Sequence, residues 1–299
     1  MPRRWSLSLA RALIGALAAL AAASAVAAAD DAFDYDRTAP LELSTGPAQR
    51  LAPGVTSRTV RFASPSGHTV TGELIAGSQT GSHPGVLFVH WLGDPKTTNH
   101  TEFEADAIAL ARRGATSLLV DAVWARTDWF DTVGVSDEAD VLQARGQVVD
   151  LRRALDVLAV QKGVDADRIA YVGHDFGAMF GALLAGADAR PRVFVLMAGV
   201  PTLSEWYLLG KTHPHRDDYV KALDALDITG SLSRSKAKAM LFQFSAHDKY
   251  VSPDRAQAFA SASTLPRGVF VYDVDHSLKA RAAYADRQAW LVEQVFTHQ

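Results

Sequence analysis

The sequence predicts an α/β fold: a doubly wound, mostly parallel sheet with helices on both faces. Three observations carry this. The run 85–90 (GVLFVH) is continuously apolar, as a strand buried on both faces is, and 115–121 (ATSLLVD) reads as a second buried strand. Such runs alternate along the chain with amphipathic stretches of helical spacing, as parallel strands with crossover helices require. The strand 168–172 then enters Gly173-His174-Asp175-Phe176-Gly177 and leaves directly as a helix, a tight turn at the carboxyl edge of such a sheet.

The elements follow in order. Segments 58–63 and 68–76 form a hairpin across Ser64-Pro65-Ser66-Gly67. Strands are expected at 85–90, 115–121, 168–172, 193–198, 239–244 and 268–274. Helices are expected at 102–113, where Phe103, Ala107, Leu110 and Ala111 share a face, and at 137–161, 177–187, 253–262 and 279–296. Residues 30–57, with Pro40, Gly46, Pro47, Pro53 and Gly54, read as an extended lead-in. The longest break in the alternation, 199–238, reads as a short lid-like insertion with helical turns near 203–209 and 217–226, so one domain spans 58–299.

Arg3, Arg4 and Arg11 stand before or beside an Ala/Leu run ending at Ala27-Ala28-Ala29, and acidic residues begin at Asp30. This is the pattern of a signal peptide over residues 1–29, with export to the periplasm or medium and no stable membrane insertion after cleavage near Ala29. Arg3-Arg4 also hints at twin-arginine export. Removing that segment takes away three arginines and no acids, moving the net charge from −3 to −6. No basic stripe is present, so nucleic acid is not an expected partner. The chain of 299 residues has no cysteine, which excludes disulfides, thiolate zinc sites, a cysteine nucleophile and lipid attachment to cysteine. His213 and His215 have no further ligands at zinc-like spacing and read as a solvated loop. No metal or cofactor is expected, and the partner is a small-molecule substrate.

The turn at 173–177 carries the chemistry. Its apex crowds the backbone, so glycine is favoured on either side. The apex residue meets the N–H groups and positive end of the following helix, a setting that suits a carboxylate. Asp175 alone could be no more than a cap for that helix. Its companions add weight. Asp248 follows the strand 239–244 in FSAHDKYV, and His276 follows the strand 268–274 in YDVDHSL. The chain order of apex residue, acid and histidine is that of a hydrolytic triad, with His276 as base and Asp248 as its orienter.

On these residues the chain resembles the α/β-hydrolase fold family over about 58–297. GHDFGA resembles the aspartate-nucleophile members, the epoxide hydrolases and haloalkane dehalogenases, on a compact body similar to dienelactone hydrolases. The resemblance implies an oxyanion hole from the Phe176 N–H and a second N–H in the turn HWLGD, from Trp91 or Leu92. His90-Trp91 stands where the family has His-Gly. The resemblance further implies lid tyrosines that protonate an epoxide oxygen, and the insertion carries Tyr207 and Tyr219. Tryptophan donors hold halide in the dehalogenases; Trp91 lies at the right turn, whereas Phe176 stands where they have tryptophan. His90, Trp124, Trp206, Tyr207 and Tyr219 are the candidate pocket residues, Trp124 with core packing as its alternative and His90 with a structural role at a strand end. Trp129 shares Trp124's two readings. His174 is expected to face away from the site.

An aspartate attacking an acyl carbon would give an anhydride, but at an sp³ carbon it gives an ordinary ester that water can cleave. Asp175 as nucleophile therefore points to epoxide or carbon–halogen bonds. Two alternatives remain: an esterase in which Asp175 acts as a base on water, and a ligand-binding homologue without catalysis.

Overall fold

The computed structural model describes residues 32–94 and 96–296. The segment 1–29, read from the sequence as a signal peptide, lies outside the described residues. Ten strands form one sheet: β1 (Ser44–Thr45), β2 (Gln49–Ala52), β3 (Val55–Ala63), β4 (Thr69–Gly77), β5 (His83–Val89), β6 (Thr116–Val120), β7 (Val164–His174), β8 (Pro191–Met197), β9 (Ala239–Ser245) and β10 (Arg267–Tyr272). Their spatial order is β1-β3-β4-β6-β5-β7-β8-β9-β10, with β2 paired to β3. Pairing is antiparallel through β4–β6 and parallel from β6 to β10. The doubly wound sheet read from the sequence is the one observed.

The helices are α1 (Glu104–Ala111), α2 (Trp129–Thr132), α3 (Asp137–Ala159), α4 (Phe176–Ala187), α5 (Ser204–Tyr207), α6 (Arg216–Asp224), α7 (Ile228–Arg234), α8 (Pro253–Ser261) and α9 (Arg281–Val295). Short 3₁₀ turns occupy His100–Phe103 and Val123–Ala125. α1 and α9 cover one face of the sheet, and α3 and α4 the other. None of the described helices is long and apolar enough to cross a membrane.

β5 is buried at all seven positions, which explains why its sequence shows no alternation. From β5 the chain winds outward to β6 and then crosses back to β7 on the other side. The carboxyl ends of β5 and β7 are therefore the topological switch point, where a sheet of this kind opens a crevice. α3 starts at Ser136, whose hydroxyl accepts from the Ala139 N–H, and Asp137, Glu138 and Asp140 fill its first turn.

Two regions differ from the sequence reading. The segment 199–238 contains α7 as well as the two helices anticipated; α7 packs on α4, and its Ile228, Ser231 and Leu232 are buried. Its seven residues are too short for helical periodicity to stand out. The extended lead-in, for its part, contributes β1, β2 and the start of β3 to the sheet and is tied down before them. Buried Arg153 donates to the Ala39 and Pro40 carbonyls at 2.7 and 2.6 Å, and Arg152 donates to the Phe33 carbonyl at 2.5 Å. These guanidinium groups satisfy backbone carbonyls that no sheet partner reaches.

Candidate active site

Asp175 sits at the apex between β7 and α4 with φ 58° and ψ −116°, outside the ordinary regions for an L-residue. Such a conformation costs about 1–3 kcal/mol and persists only when its surroundings hold it. The surroundings do. The Asp175 N–H donates to the Met197 carbonyl, and the Asp175 carbonyl accepts from the Ala178 and Met179 N–H groups. The flanking glycines are sterically required. A Cβ on Gly173 would lie 2.3 Å from the Gly177 carbonyl oxygen, and one on Gly177 would lie 2.3 Å from that of Val89.

The fold brings Asp175, Asp248 and His276 together. His276 Nδ1 is 2.8 Å from Asp248 Oδ2. Asp248 Oδ1 accepts from the Tyr250 and Val251 N–H groups at 2.8 and 3.0 Å, which fixes the carboxylate that fixes the ring. The other ring nitrogen, Nε2, faces Asp175 Oδ2 at 3.9 Å. That distance is an ion pair rather than a hydrogen bond, and a bridging water can span it. His276 Nε2 and Asp175 Oδ1 are both buried and have no hydrogen-bond partner. Asp175 Oδ2 accepts from the Leu92 N–H at 3.0 Å.

The electrostatics follow. Burial pushes the Asp175 carboxyl up, against the pull of His276 and the Leu92 N–H. Burial lowers His276, but Asp175 and Asp248 outweigh it and push the imidazole up to about 9. Burial raises Asp248, but His276 and the two backbone N–H groups bring it below the usual carboxylate range. His276 therefore stands between two acidic side chains, both of which favour its protonated form.

The remaining residues named from the sequence fall into place around this core. Of the two donors considered at the β5 turn, Leu92 points its N–H at Asp175, whereas the Trp91 N–H donates to Glu102 Oε2 at 2.8 Å. Phe176 is fully buried at the first position of α4. His90 is buried; its Nε2 accepts from the Ala122 N–H, so Nδ1 carries the proton and donates to the Trp91 carbonyl at 2.7 Å. It shapes the turn from behind. Trp124 and Trp129 are buried with their indole N–H groups on the His90 carbonyl and Gln143, and both rings pack on Phe176. Trp206 lies edge-on to Phe176 and 5.4 Å from the His276 ring. Tyr207 packs against Phe176 and Trp129, and its buried hydroxyl has no partner. Tyr219 donates instead to Asp140 at 2.9 Å. A cleft of about 1080 Å³ lies elsewhere, lined in part by His68, Arg126, Gln143 and Asp150.

One expectation is reversed. His174 does not face away: its ring lies 5.4 Å from that of His276 and stacks on Trp91 at 5.3 Å. Its Nε2 reaches the His276 carbonyl at 3.0 Å, and its Nδ1 reaches Glu102 Oε1 at 2.6 Å. Both ring nitrogens thus face oxygen atoms, one on the Glu102 side chain and one on the His276 backbone. Glu102 thus clamps the β5 turn, through Trp91, to the His276 loop, through His174. Burial raises the Glu102 carboxyl, and His174 with the Trp91 N–H brings it below its usual range. Sequence reasoning missed Glu102 and also Tyr250, whose ring meets His276 edge-on at 5.1 Å. Tyr250 had a signal, being two residues beyond Asp248. Glu102 had none before the fold was known. No group of His, Asp or Glu suited to a metal ion occurs among the described residues.

No protein-family model matches this chain, and no curated protein sequence does. Solved structures do. An acetyl xylan esterase from Paenibacillus sp. R4 superimposes with a TM-score of 0.70 at 18% identity, over 90% of this chain and 91% of that one. Acetyl xylan esterase 1 from Thermoanaerobacterium sp. JW/SL YS485 gives 0.70 at 16% identity, over 92% and 93%. An S-formylglutathione hydrolase from Agrobacterium tumefaciens gives 0.65 at 14% identity, over 84% and 99%. At these identities the likeness establishes a shared fold.

Proposed function

We propose that this chain, which has the α/β-hydrolase fold of those structures, is a hydrolase that attacks an sp³ carbon of a small organic substrate with Asp175. The observation that carries the proposal is the state of the Asp175 carboxylate. One oxygen is held by the Leu92 N–H while the other is buried and unpartnered, beside an imidazole nitrogen that is also unpartnered. An N-cap would spend its oxygen on its own helix, and Asp175 makes no such bond.

In the proposed reaction Asp175 Oδ1 attacks the carbon, and the carbon–oxygen bond of an epoxide or the carbon–halogen bond breaks. Halide leaves as the anion; an epoxide oxygen needs a proton, and the unpartnered Tyr207 hydroxyl against Phe176 supports that role. The product of this step is an ester of Asp175, which has lost its charge. One of the two carboxylates that hold His276 up is then gone, so the ring releases its Nε2 proton, to solvent where halide has left or to restore the Tyr207 hydroxyl where an epoxide has opened, and becomes a base. It takes a proton from water, and the hydroxide adds to the Asp175 carboxyl carbon. The Leu92 N–H faces the oxygen on which charge develops, and losing such a donor typically costs about 10²–10³ in rate. The bond between the carboxyl carbon and the alkyl oxygen breaks, and the departing alkoxide takes the proton from His276. Asp175 thus retains one oxygen from water.

A second reading has one observation in its favour. Burial raises Asp175, as suits a general base, and an esterase could use it to activate water directly. Turnover in ¹⁸O water separates the two. Label in the Asp175 side chain after many turnovers supports the nucleophile, and label only in the product supports the base. Export by a signal peptide is part of the proposal, and the mature N-terminus at Asp30 would test it.

A further inference from the structure

The two edges of the sheet are built differently. One ends in β1, a strand of two residues, a length that blunts an edge. The other ends in β10, six residues long, with Val269, Phe270 and Val271 exposed at 45%, 44% and 63%. No proline, lysine or bulge interrupts it. The Pro266 and Tyr272 carbonyls accept from Met240 and Ala246 on the β9 side. By the two-residue period of a strand, Gly268 and Phe270 also turn their backbone groups to β9, and Arg267, Val269 and Val271 turn theirs outward.

We infer that β10 is a homodimer interface, pairing antiparallel with β10 of a second copy about a two-fold axis at Phe270. Only this register meets three conditions at once. The outward groups of Val269 face those of Val271 in the second copy, and each such pair exchanges both backbone bonds. Phe270 meets its own copy as a non-hydrogen-bonded pair, the closer kind, so two exposed aromatic rings cover one another. Arg267, which donates one guanidinium N–H to the Ser263 carbonyl, comes at one end opposite Asp273 at the other, whose side chain is 93% exposed and holds His247 Nε2 with one carboxylate oxygen. The two-fold axis repeats that charge pair, as an isologous interface requires. Moving the axis to Val269 or Val271 places Arg267 or Asp273 against valine.

The chain has no cysteine, so a single introduced thiol reports the axis. A non-hydrogen-bonded pair sets Cα atoms about 4.5 Å apart, within disulfide range. In the mature chain, Phe270→Cys is expected to give a disulfide dimer under mild oxidation, whereas Val269→Cys and Val271→Cys stay largely uncrosslinked. Sedimentation velocity of the unsubstituted chain should show a dimer. Asp273→Arg should weaken it roughly tenfold or more by setting like charges opposite, and Arg267→Asp added to it should restore it. A monomer at every concentration overturns the proposal. So does a dimer that ignores the charge reversal, or one that crosslinks at 269 or 271 in preference to 270.

Discussion

Replacing Asp175 by asparagine should lower the proton affinity of His276 by at least tenfold. The imidazole is held at about 9 although burial alone would lower it. From the ordinary value of 6.5, that is about 3 kcal/mol of net preference for imidazolium. Two carboxylates supply it, Asp175 at 3.9 Å from Nε2 and Asp248 at 2.8 Å from Nδ1. Asparagine keeps the shape and removes the charge, leaving Asp248 to oppose burial alone. A tenfold fall is about 1.4 kcal/mol, less than half of the total. Side-chain ¹⁵N resonances of His276, followed against pH in both proteins, measure the change. The same shift should appear when Asp175 is alkylated, because the ester is neutral too. A His276 midpoint that Asp175→Asn leaves in place would refute the coupling, and with it the argument that ester formation is what frees the base.

Stability should depend on the same proton. A histidine whose folded pKa is about 9, against 6.5 unfolded, stabilises the fold fully below about 6.5 and loses that contribution as pH rises through about 9. Thermal unfolding of the wild type should therefore weaken across that interval, and His276→Gln should flatten the slope. Gly177→Ala should destabilise by about 3 kcal/mol or more, since its Cβ meets backbone at 2.3 Å; denaturant midpoints would show it, and an unchanged midpoint would mean the elbow relaxes. Asp106→Ala should cost about 3–5 kcal/mol, because it strands Arg287 in a buried site where both guanidinium bonds, 2.7 and 2.8 Å, end on Asp106. Urea unfolding at neutral pH measures that loss.

The sheet was legible because β5 and β6 are buried at every position and their sequences lack the alternation of a half-exposed strand. The proposed triad could be read because each of its members lies within four residues of a strand's carboxyl end, and those ends share one edge of a parallel sheet. What stayed hidden was set by tertiary partners. His174 is adjacent to Asp175, and a tight turn ordinarily sends neighbours apart; here the Glu102 carboxylate and the His276 carbonyl draw its ring under the site. Trp91 and Leu92 were indistinguishable until Glu102 was seen to take the Trp91 N–H. The lead-in read only as extended because its anchors, Arg152 and Arg153, lie more than a hundred residues away on α3. An arginine on an amphipathic helix reads as surface, and only the fold shows these two turned inward to backbone carbonyls.

The nucleophile is tested most directly by trapping. His276→Gln removes the base for the second step but leaves Asp175 able to attack. The mature variant, incubated with pooled epoxides, alkyl halides and esters, would be read by intact mass and peptide mapping. The account predicts a stable adduct on Asp175, with an added mass that identifies an epoxide or a halide as the electrophile. An adduct on any other residue, or turnover of an ester by the wild type with Asp175 never labelled, would contradict it.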